Sequence, residues 1–203
     1  KHSSYFTYGI YGEMIEQLES NWAGSRAAAV KYLGENVPSC RDEVIRLNVA
    51  KALKPLLDDR VTDIRVKAIE ALSKLIPTLS DERYKAELVS YMTSRRFLDN
   101  REESIRYSIV SNFYELVSSL TDEKTIINVI ANLKTYGLDD REDYIKEQAF
   151  RELNSAISLL DDIKELRREA EYLKNQIAIA AAIRLKDRAE ESWYTDDIRE
   201  EIT

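Results

Sequence analysis

Residues 57–60 read Leu-Asp-Asp-Arg, and similar strings follow at residues 98–101 (Leu-Asp-Asn-Arg) and 138–141 (Leu-Asp-Asp-Arg). The strings begin 41 and 40 residues apart. Each stands between two stretches in which apolar residues recur at helical spacing. Self-similarity at this period is typical of helical repeat proteins, in which one unit is a pair of helices. We therefore predict helix A before each string, a turn at the string and helix B after it.

Helix B repeats together with the string. Counted from Arg65, Arg106 and Lys146, apolar residues occupy positions −1, +3, +4 and +7 in all three copies. This spacing makes a single apolar stripe along a helix of 3.6 residues per turn. An earlier copy is centred on Arg26, so the four reference residues lie 39, 41 and 40 residues apart. Chance would rarely produce such regular intervals.

Helix A repeats more loosely, and Asp42, Asp81 and Asp122 stand where its copies are predicted to begin. Ser80 and Thr121 precede two of these acids, and we expect their hydroxyls to accept a backbone N–H while the acids favour the positive end of the helix dipole. The predicted pairs of helices cover residues 41–57 with 61–76, 81–97 with 102–119, and 122–136 with 142–159.

The units are predicted to stack, because no single pair of helices can bury its apolar stripe alone. We predict one all-α domain over residues 1–203, a right-handed α-α superhelix of about four helical hairpins with a long C-terminal helix. Its parts are an N-terminal capping unit (1–40), unit 1 (41–79), unit 2 (80–120), unit 3 (121–160) and C-terminal capping helices (161–203).

The turn and helix B together resemble the HEAT repeat family. That family's pattern has an Asp in the turn and, six residues later, an Arg or Lys that follows an aliphatic residue. Asp59 with Ile64-Arg65 and Asp140 with Ile145-Lys146 match it, and Asn100 with Ile105-Arg106 is a conservative departure. Ser20 with Arg26 is a weak first copy, and residues 63–72 are the closest match. The resemblance covers roughly residues 21–160 and is specific for architecture rather than function.

The resemblance implies a structural ladder, in which turn acids bond helix-B bases of neighbouring units. Its members here would be Asp59, Arg65, Asn100, Arg106, Asp140 and Lys146. We favour this interpretation over a ligand-binding role for Arg65 and Arg106, because a charge that recurs at one phase in every unit suits a lattice better than one ligand.

Composition disfavours several classes of function. The formal net charge is −7, and the basic residues are interleaved with acids, whereas nucleic-acid binding needs clustered cations. The longest apolar stretch, residues 177–183, is far shorter than the roughly 20 residues of a membrane-spanning helix. We find no signal-peptide pattern and expect a cytoplasmic protein. The single Cys40 is interpreted as structural.

Candidate catalytic groups are scarce. The one histidine, His2, lies near the start of the sequence, which argues against His-rich metal sites, including those of the HEAT-type di-iron hydroxylases, and against Ser-His-Asp or Cys-His nucleophiles. Acid pairs such as Asp58-Asp59 and Asp139-Asp140 are interpreted as turn and cap residues. We expect no cofactor, and a metal site built from carboxylates alone remains open.

The predicted outward face of helix B is mixed in charge. At positions +1, +2, +5 and +8 it presents Val66, Tyr107 and Glu147; Lys67, Ser108 and Gln148; Glu70, Ser111 and Arg151; and Ser73, Tyr114 and Asn154. Tyrosine is favoured in protein–protein contacts, although Tyr107 and Tyr114 also suit ordinary half-buried helix positions. The candidate partner-binding residues are Lys67, Glu70, Tyr107, Ser111, Tyr114, Glu147 and Arg151.

The two ends of the chain are interpreted as caps. An aromatic-rich segment with a helix over residues 8–18 would cover the first stripe. After residue 161 the apolar residues keep alternating 3–4 spacing, the pattern of a long packed or coiled helix. This helix either caps the last stripe or forms a homodimer seam, and residues 177–183 are the competing partner site.

These features favour a non-catalytic scaffold that presents a curved helical surface to another protein or peptide. The alternative is a HEAT-type enzyme, such as a nucleic-acid glycosylase or a lyase that attaches a cofactor. Nucleic-acid binding that weakens steeply as salt rises would indicate the glycosylase.

Overall fold

The computed structural model describes residues 3–158, 172, 174 and 175. Within this part all regular secondary structure is helical and there is no β-strand, so the described chain is all-α. The chain divides into two compact parts, each larger than a repeat unit: Lys1–Ala156 and Ile157–Thr203. The predicted seam at residues 177–183 and most of the predicted C-terminal helix lie outside the described residues.

The helices follow one another in the order that the repeat predicts. They are α1 (Ser3–Gln17), α2 (Ala23–Asn36), α3 (Glu43–Leu53), α4 (Thr62–Leu75), α5 (Glu82–Met92), α6 (Arg95–Leu98), α7 (Glu103–Ser111), α8 (Phe113–Ser118), α9 (Glu123–Asn132) and α10 (Asp143–Ser158). Short 3-10 helices extend α3 (Lys54–Asp58) and α4 (Ile76–Thr78), and a π turn (Leu133–Gly137) extends α9.

The predicted helix positions are confirmed, but unit 2 has two breaks that the pattern did not predict. Helix A of this unit is interrupted at Thr93, whose Oγ1 donates to Val89 O at 2.8 Å. Helix B is interrupted at Asn112, whose Nδ2 donates to Ser108 O at 2.7 Å. Both residues leave helical dihedrals while their short polar side chains bond the preceding turn. Such local bonds compete with the helix ladder.

The helix A starts are capped by aspartate rather than by Ser80 or Thr121. Asp42, Asp81 and Asp122 each accept backbone N–H groups two or three residues later. Our assignment of the cap to Ser80 and Thr121 was therefore wrong. Those two residues bond the preceding unit instead, because Ser80 N–H donates to Glu43 at 2.7 Å and Thr121 Oγ1 donates to Glu82 at 2.8 Å.

The predicted stripe on helix B lies in the core of the first compact part of the chain. Its members in units 1 and 2 are all buried: Ile64, Ala68, Ile69, Leu72, Ile105, Ile109, Val110 and Phe113. In unit 3, Ile145, Ala149 and Leu153 are buried, while Phe150 is half-buried. Each fully buried Leu, Ile or Phe contributes roughly 1.5–3 kcal/mol through the hydrophobic effect. The stripe therefore stabilises the fold together with the buried apolar residues of the A helices.

The B helices contact one another across unit boundaries. Helix α4 packs against α2, which precedes it by one unit, and against α7, which follows it by one unit. A Cβ added to Gly34 of α2 would come within 2.7 Å of the Ala71 Cβ of α4, so the small residue permits this close approach. Helix α5 contacts α9 in the same way, and α1 contacts both α2 and α3. The contacts of α4 and of α5 therefore join helices of successive predicted units.

Candidate functional site

The turns between helices A and B are joined across units by arginine–aspartate pairs, each of which we call a rung. In the first rung, Arg26 of α2 donates Nε and Nη2 to the two oxygens of Asp59, at 2.7 and 3.0 Å. Arg26 Nη1 also donates to Ser20 O at 2.7 Å, and Asp59 accepts the Val61 N–H at 2.8 Å. One guanidinium therefore fixes its own turn and the turn of the next unit.

Electrostatics matches this geometry. Burial acts to raise the pKa of Asp59, but the hydrogen bonds from Arg26 and from the Val61 N–H outweigh it, and the pKa is lowered. The pKa of Arg26 is raised, chiefly by its hydrogen bond to Asp59. Both groups are held in their charged forms, as a stable ion pair requires.

A second rung repeats this arrangement between units 2 and 3. Arg106 of α7 donates Nε and Nη2 to Asp140 at 2.6 and 3.0 Å. Its Nη1 donates to Asn100 O at 2.8 Å, and Asp140 accepts the Glu142 N–H at 2.9 Å. The two side chains are only 3% and 2% exposed. The hydrogen bond to Asp140 raises the pKa of Arg106 despite the opposing effect of burial.

The rung between units 1 and 2 is not formed. Arg65 donates Nη1 to Asp59 O at 2.7 Å and Nη2 to Thr62 Oγ1 at 2.9 Å. Among the described residues, no carboxylate lies within ion-pair distance of Arg65. The position equivalent to Asp59 and Asp140 is Asn100, which accepts the Glu102 N–H at 3.0 Å and donates to Arg96 O at 3.2 Å. Asparagine thus keeps the turn bond and lacks the charge for the rung.

The last predicted ladder residue, Lys146, pairs within its own helix. Its Nζ lies 2.9 Å from Asp143 Oδ1. The residues one unit further along the chain lie outside the described part.

Further bonds between units were not anticipated from the pattern. Arg60 Nη2 donates to Asn21 O at 2.9 Å, and Arg141 Nη2 donates to Asn100 O at 3.4 Å. The Tyr114 N–H at the start of α8 donates to Glu152 of α10 at 2.8 Å. These partners are 38 to 41 residues apart, close to the repeat period. This separation is the feature of the sequence that predicts such bonds.

An aromatic pair lies exposed on the B helices of units 2 and 3. The rings of Tyr107 on α7 and Tyr144 on α10 have centroids 5.5 Å apart and an interplanar angle of 53°. They are 42% and 45% exposed, and Tyr114 on α8 is 39% exposed. The sequence interpretation identified Tyr107 and Tyr114 but missed Tyr144. Tyr144 sits two residues before the reference Lys146, so it meets Tyr107 only across the unit boundary.

The remaining candidate residues are divided between exposed and half-buried positions. Glu70, Glu147 and Arg151 are exposed, whereas Lys67 and Ser111 are half-buried. Lys67 pairs with Asp63 one turn earlier on the same helix, and Ser111 Oγ donates to Ser108 O at 3.3 Å. The candidate set therefore does not converge on a single pocket.

The outward assignment of Ser73 and Ser108 was wrong, because both are buried. Ser73 Oγ donates to Ile69 O at 2.8 Å. Because its hydroxyl is hydrogen-bonded within its own helix, Ser73 can be buried at little cost. The Ser108 Oγ is buried without a hydrogen-bond partner among the described residues. The apolar contact surface of helix B is therefore wider than the stripe alone.

Charged side chains of both signs act on Tyr144 of the aromatic pair. Burial raises the pKa of the Tyr144 phenol, the charges of Glu103 and Glu142 raise it further, and Arg106 opposes them. Glu103 and Glu147 are exposed and Glu142 is half-buried. The Tyr144 phenol therefore lies near the negative charges of Glu103 and Glu142, which Arg106 partly offsets.

The described residues contain no group of three or more His, Cys, Asp or Glu side chains that could hold a metal ion. Asp59 and Asp140 are engaged in rungs, and Asp58 accepts the Tyr91 hydroxyl at 2.9 Å and pairs with Arg96. His2 lies outside the described residues. No described helix is long and apolar enough to cross a membrane.

No protein-family model and no curated protein matches this chain. The resemblance to the HEAT repeat family therefore stays a prediction that rests on the residues quoted for it.

Proposed function

We propose that this chain is a non-catalytic scaffold that binds another protein, and that the Tyr107–Tyr144 pair anchors the partner. The observation that carries the proposal is the exposure of both rings at a junction where the neighbouring apolar residues are buried. Ile105, Ile109 and Ile145 lie close to them in sequence and are 0% exposed. Exposed tyrosines on a rigid helical surface are typical anchors of protein interfaces, because they bury a large area at a small entropic cost.

The charge around the rings defines the kind of partner. Glu103 and Glu142 place negative charge beside Tyr144, and such charge repels the phosphates of a nucleic acid; Glu147 is paired with Arg151. A partner that offers Lys or Arg beside apolar side chains would gain ion pairs at the rim and cation–π contacts with the rings. We therefore propose that the partner presents a basic, partly apolar segment to this surface.

We also propose the finer architecture, a right-handed superhelix of HEAT-like units. Two rungs of the same geometry, Arg26–Asp59 and Arg106–Asp140, support it, as do the contacts of α4 with α2 and α7. Equivalent positions of successive units would then form rows along one face, and such faces serve as extended binding surfaces in solenoid proteins. A cytoplasmic location stays a prediction.

The test is a comparison of affinities. A partner captured by the wild-type protein would be purified, and its binding to Tyr107→Ala, Tyr144→Ala and Val44→Ala measured by calorimetry. Val44 of α3 is 57% exposed and serves as the matched control away from the pair. We expect each tyrosine variant to bind about tenfold more weakly or worse, with unchanged helical circular dichroism. Wild-type affinity in both tyrosine variants would contradict the proposal.

A further inference from the structure

The unfilled rung at Arg65 leaves a cleft between two turns. The cleft has a volume of about 210 Å³ and is lined by Asp58, Asp59, Arg65, Arg96 and Asn100, with Leu57, Phe97 and Ile105 forming its apolar part. A cleft of about 250 Å³ occurs at the equivalent place one unit later, where Arg106 and Asp140 line it. The two clefts differ in one respect: Arg106 forms an ion pair with Asp140, whereas Arg65 has no carboxylate partner among the described residues.

The filled rungs show what this position of helix B binds. Arg26 and Arg106 each direct Nε and Nη2 at a carboxylate and Nη1 at the carbonyl six residues earlier. Arg65 makes the same Nη1 bond, to Asp59 O. Its Nη2 bonds only the Thr62 hydroxyl, and its Nε has no partner among the described residues. Arg65 is thus held in place by the bond that orients the other two arginines.

The acids that line the cleft are already engaged. Asp59 binds Arg26 through both oxygens, and Asp58 accepts the Tyr91 hydroxyl and pairs with Arg96. Neither one forms an ion pair with Arg65. The guanidinium of Arg65 therefore remains a half-buried positive charge with donors to spare, and a bidentate carboxylate is the ligand that such a fork accommodates best.

We propose that Arg65 and Asn100 form a binding site for a carboxylate supplied from outside the chain. The carboxylate would take the place that Asp59 and Asp140 occupy in the filled rungs, with its oxygens on Nε and Nη2 of Arg65. Asn100 contributes because it stands where the filled rungs have an aspartate, so no carboxylate among the described residues occupies the donors of Arg65. An acidic side chain and a free chain terminus of a partner both carry this group. The inference that a partner protein supplies the carboxylate rests on the proposed protein-binding function. The inference that Arg65 binds a carboxylate does not.

The experiment follows the Nε–H signals of the arginines by NMR while two small probes are added at constant ionic strength. N-acetylaspartate methylamide represents a side-chain carboxylate, and N-acetylglycine represents a chain terminus. The Arg65 signal is assigned by its loss in Arg65→Lys. We expect at least one probe to shift this signal saturably, with a dissociation constant on the order of 10 mM or lower, while the Arg26 and Arg106 signals stay in place.

Asn100→Asp is the decisive variant, because it places an internal carboxylate in the rung without truncating any side chain. We expect it to abolish the shift, whereas Asn48→Asp, an exposed change of the same charge on α3, should retain it. A signal that neither probe shifts saturably, or one that shifts equally in Asn100→Asp, would overturn the proposal. No partner is needed, so failure here is distinct from failure of the Tyr107–Tyr144 surface.

Discussion

Arg106 binds both oxygens of Asp140 although 34 residues separate them in the sequence, and the two side chains are almost wholly buried. The same guanidinium holds the carbonyl of Asn100 in its own turn. Breaking a buried ion pair from one side is costly, since it leaves an uncompensated charge in the interior. The bond between these residues therefore ties the stability of unit 3 to that of unit 2.

Asp140→Asn should destabilise the protein strongly. It leaves the buried Arg106 without its charge partner, and we expect the free energy of unfolding to fall by about 3–5 kcal/mol. Asp139→Asn is the matched control, because Asp139 is the neighbouring acid of the same string and is exposed. Urea unfolding followed by circular dichroism measures both variants. Similar losses of unfolding free energy in the two variants would show that the buried ion pair stabilises the protein no more than an exposed acid does.

Asn100→Asp should stabilise the protein by completing the rung between units 1 and 2. The new carboxylate keeps the bond to the Glu102 N–H and adds an ion pair with the half-buried Arg65, which outweighs the loss of the exposed bond to Arg96 O, for a net gain of about 1 kcal/mol. Thermal unfolding of this variant beside Asn48→Asp separates the rung from the change in net charge. A lower melting temperature for Asn100→Asp than for the control would contradict the rung interpretation.

Gly34→Ala should be destabilising even though alanine favours helices. The added Cβ would come within 2.7 Å of the Ala71 Cβ, which forces α2 and α4 apart at a cost of about 1–3 kcal/mol. Gly12→Ala on α1, where the Cβ meets nothing within 4 Å, is the control and should be neutral or slightly stabilising. Adding Ala71→Gly to Gly34→Ala should recover part of the loss, as a double-mutant cycle would reveal.

Stability should fall in acid, and Asp59 should contribute to the fall. Its pKa is lower in the folded protein than in the unfolded chain, because the bonds from Arg26 and the Val61 N–H outweigh the effect of burial. The stabilisation is therefore fully present above the unfolded value, near pH 4, and is lost as pH falls through the lower folded pKa. Asp59→Asn should flatten the pH dependence of urea unfolding in that range. An unchanged slope would contradict this role for Asp59.

The positions of the helices were predictable because apolar spacing reports directly on local structure. The stripe through Ile64, Ile69 and Leu72 is buried as predicted, and the helices begin within a few residues of the expected places. The breaks at Thr93 and Asn112 were not predictable in this way. They depend on single side chains that bond the preceding turn, and their effect on periodicity is too small to see.

Features that arise between units were harder to predict. The resemblance implied that turn acids such as Asp140 bond helix-B bases such as Arg106 of a neighbouring unit, but which of these pairs form depends on how closely two turns approach and on the residue in each turn. Tyr144 was missed because its phase was judged within one helix, whereas its ring meets Tyr107 of the preceding unit. Ser73 and Ser108 were misplaced for the same reason, since neighbouring units cover more of helix B than its own stripe indicates.

Site-specific photocrosslinking tests the central claim, that the Tyr107–Tyr144 surface binds a protein. Benzoylphenylalanine would replace Ser104, an exposed residue one turn before Tyr107 on α7, in the intact and the Tyr107→Ala backgrounds. A third protein would carry it at the exposed Ser90 of α5. After irradiation in the native host, we predict that one protein is crosslinked at position 104, is largely lost in Tyr107→Ala and is absent at position 90. Equal crosslinking in the Tyr107→Ala background, or capture of nucleic acid instead of protein, would contradict the account.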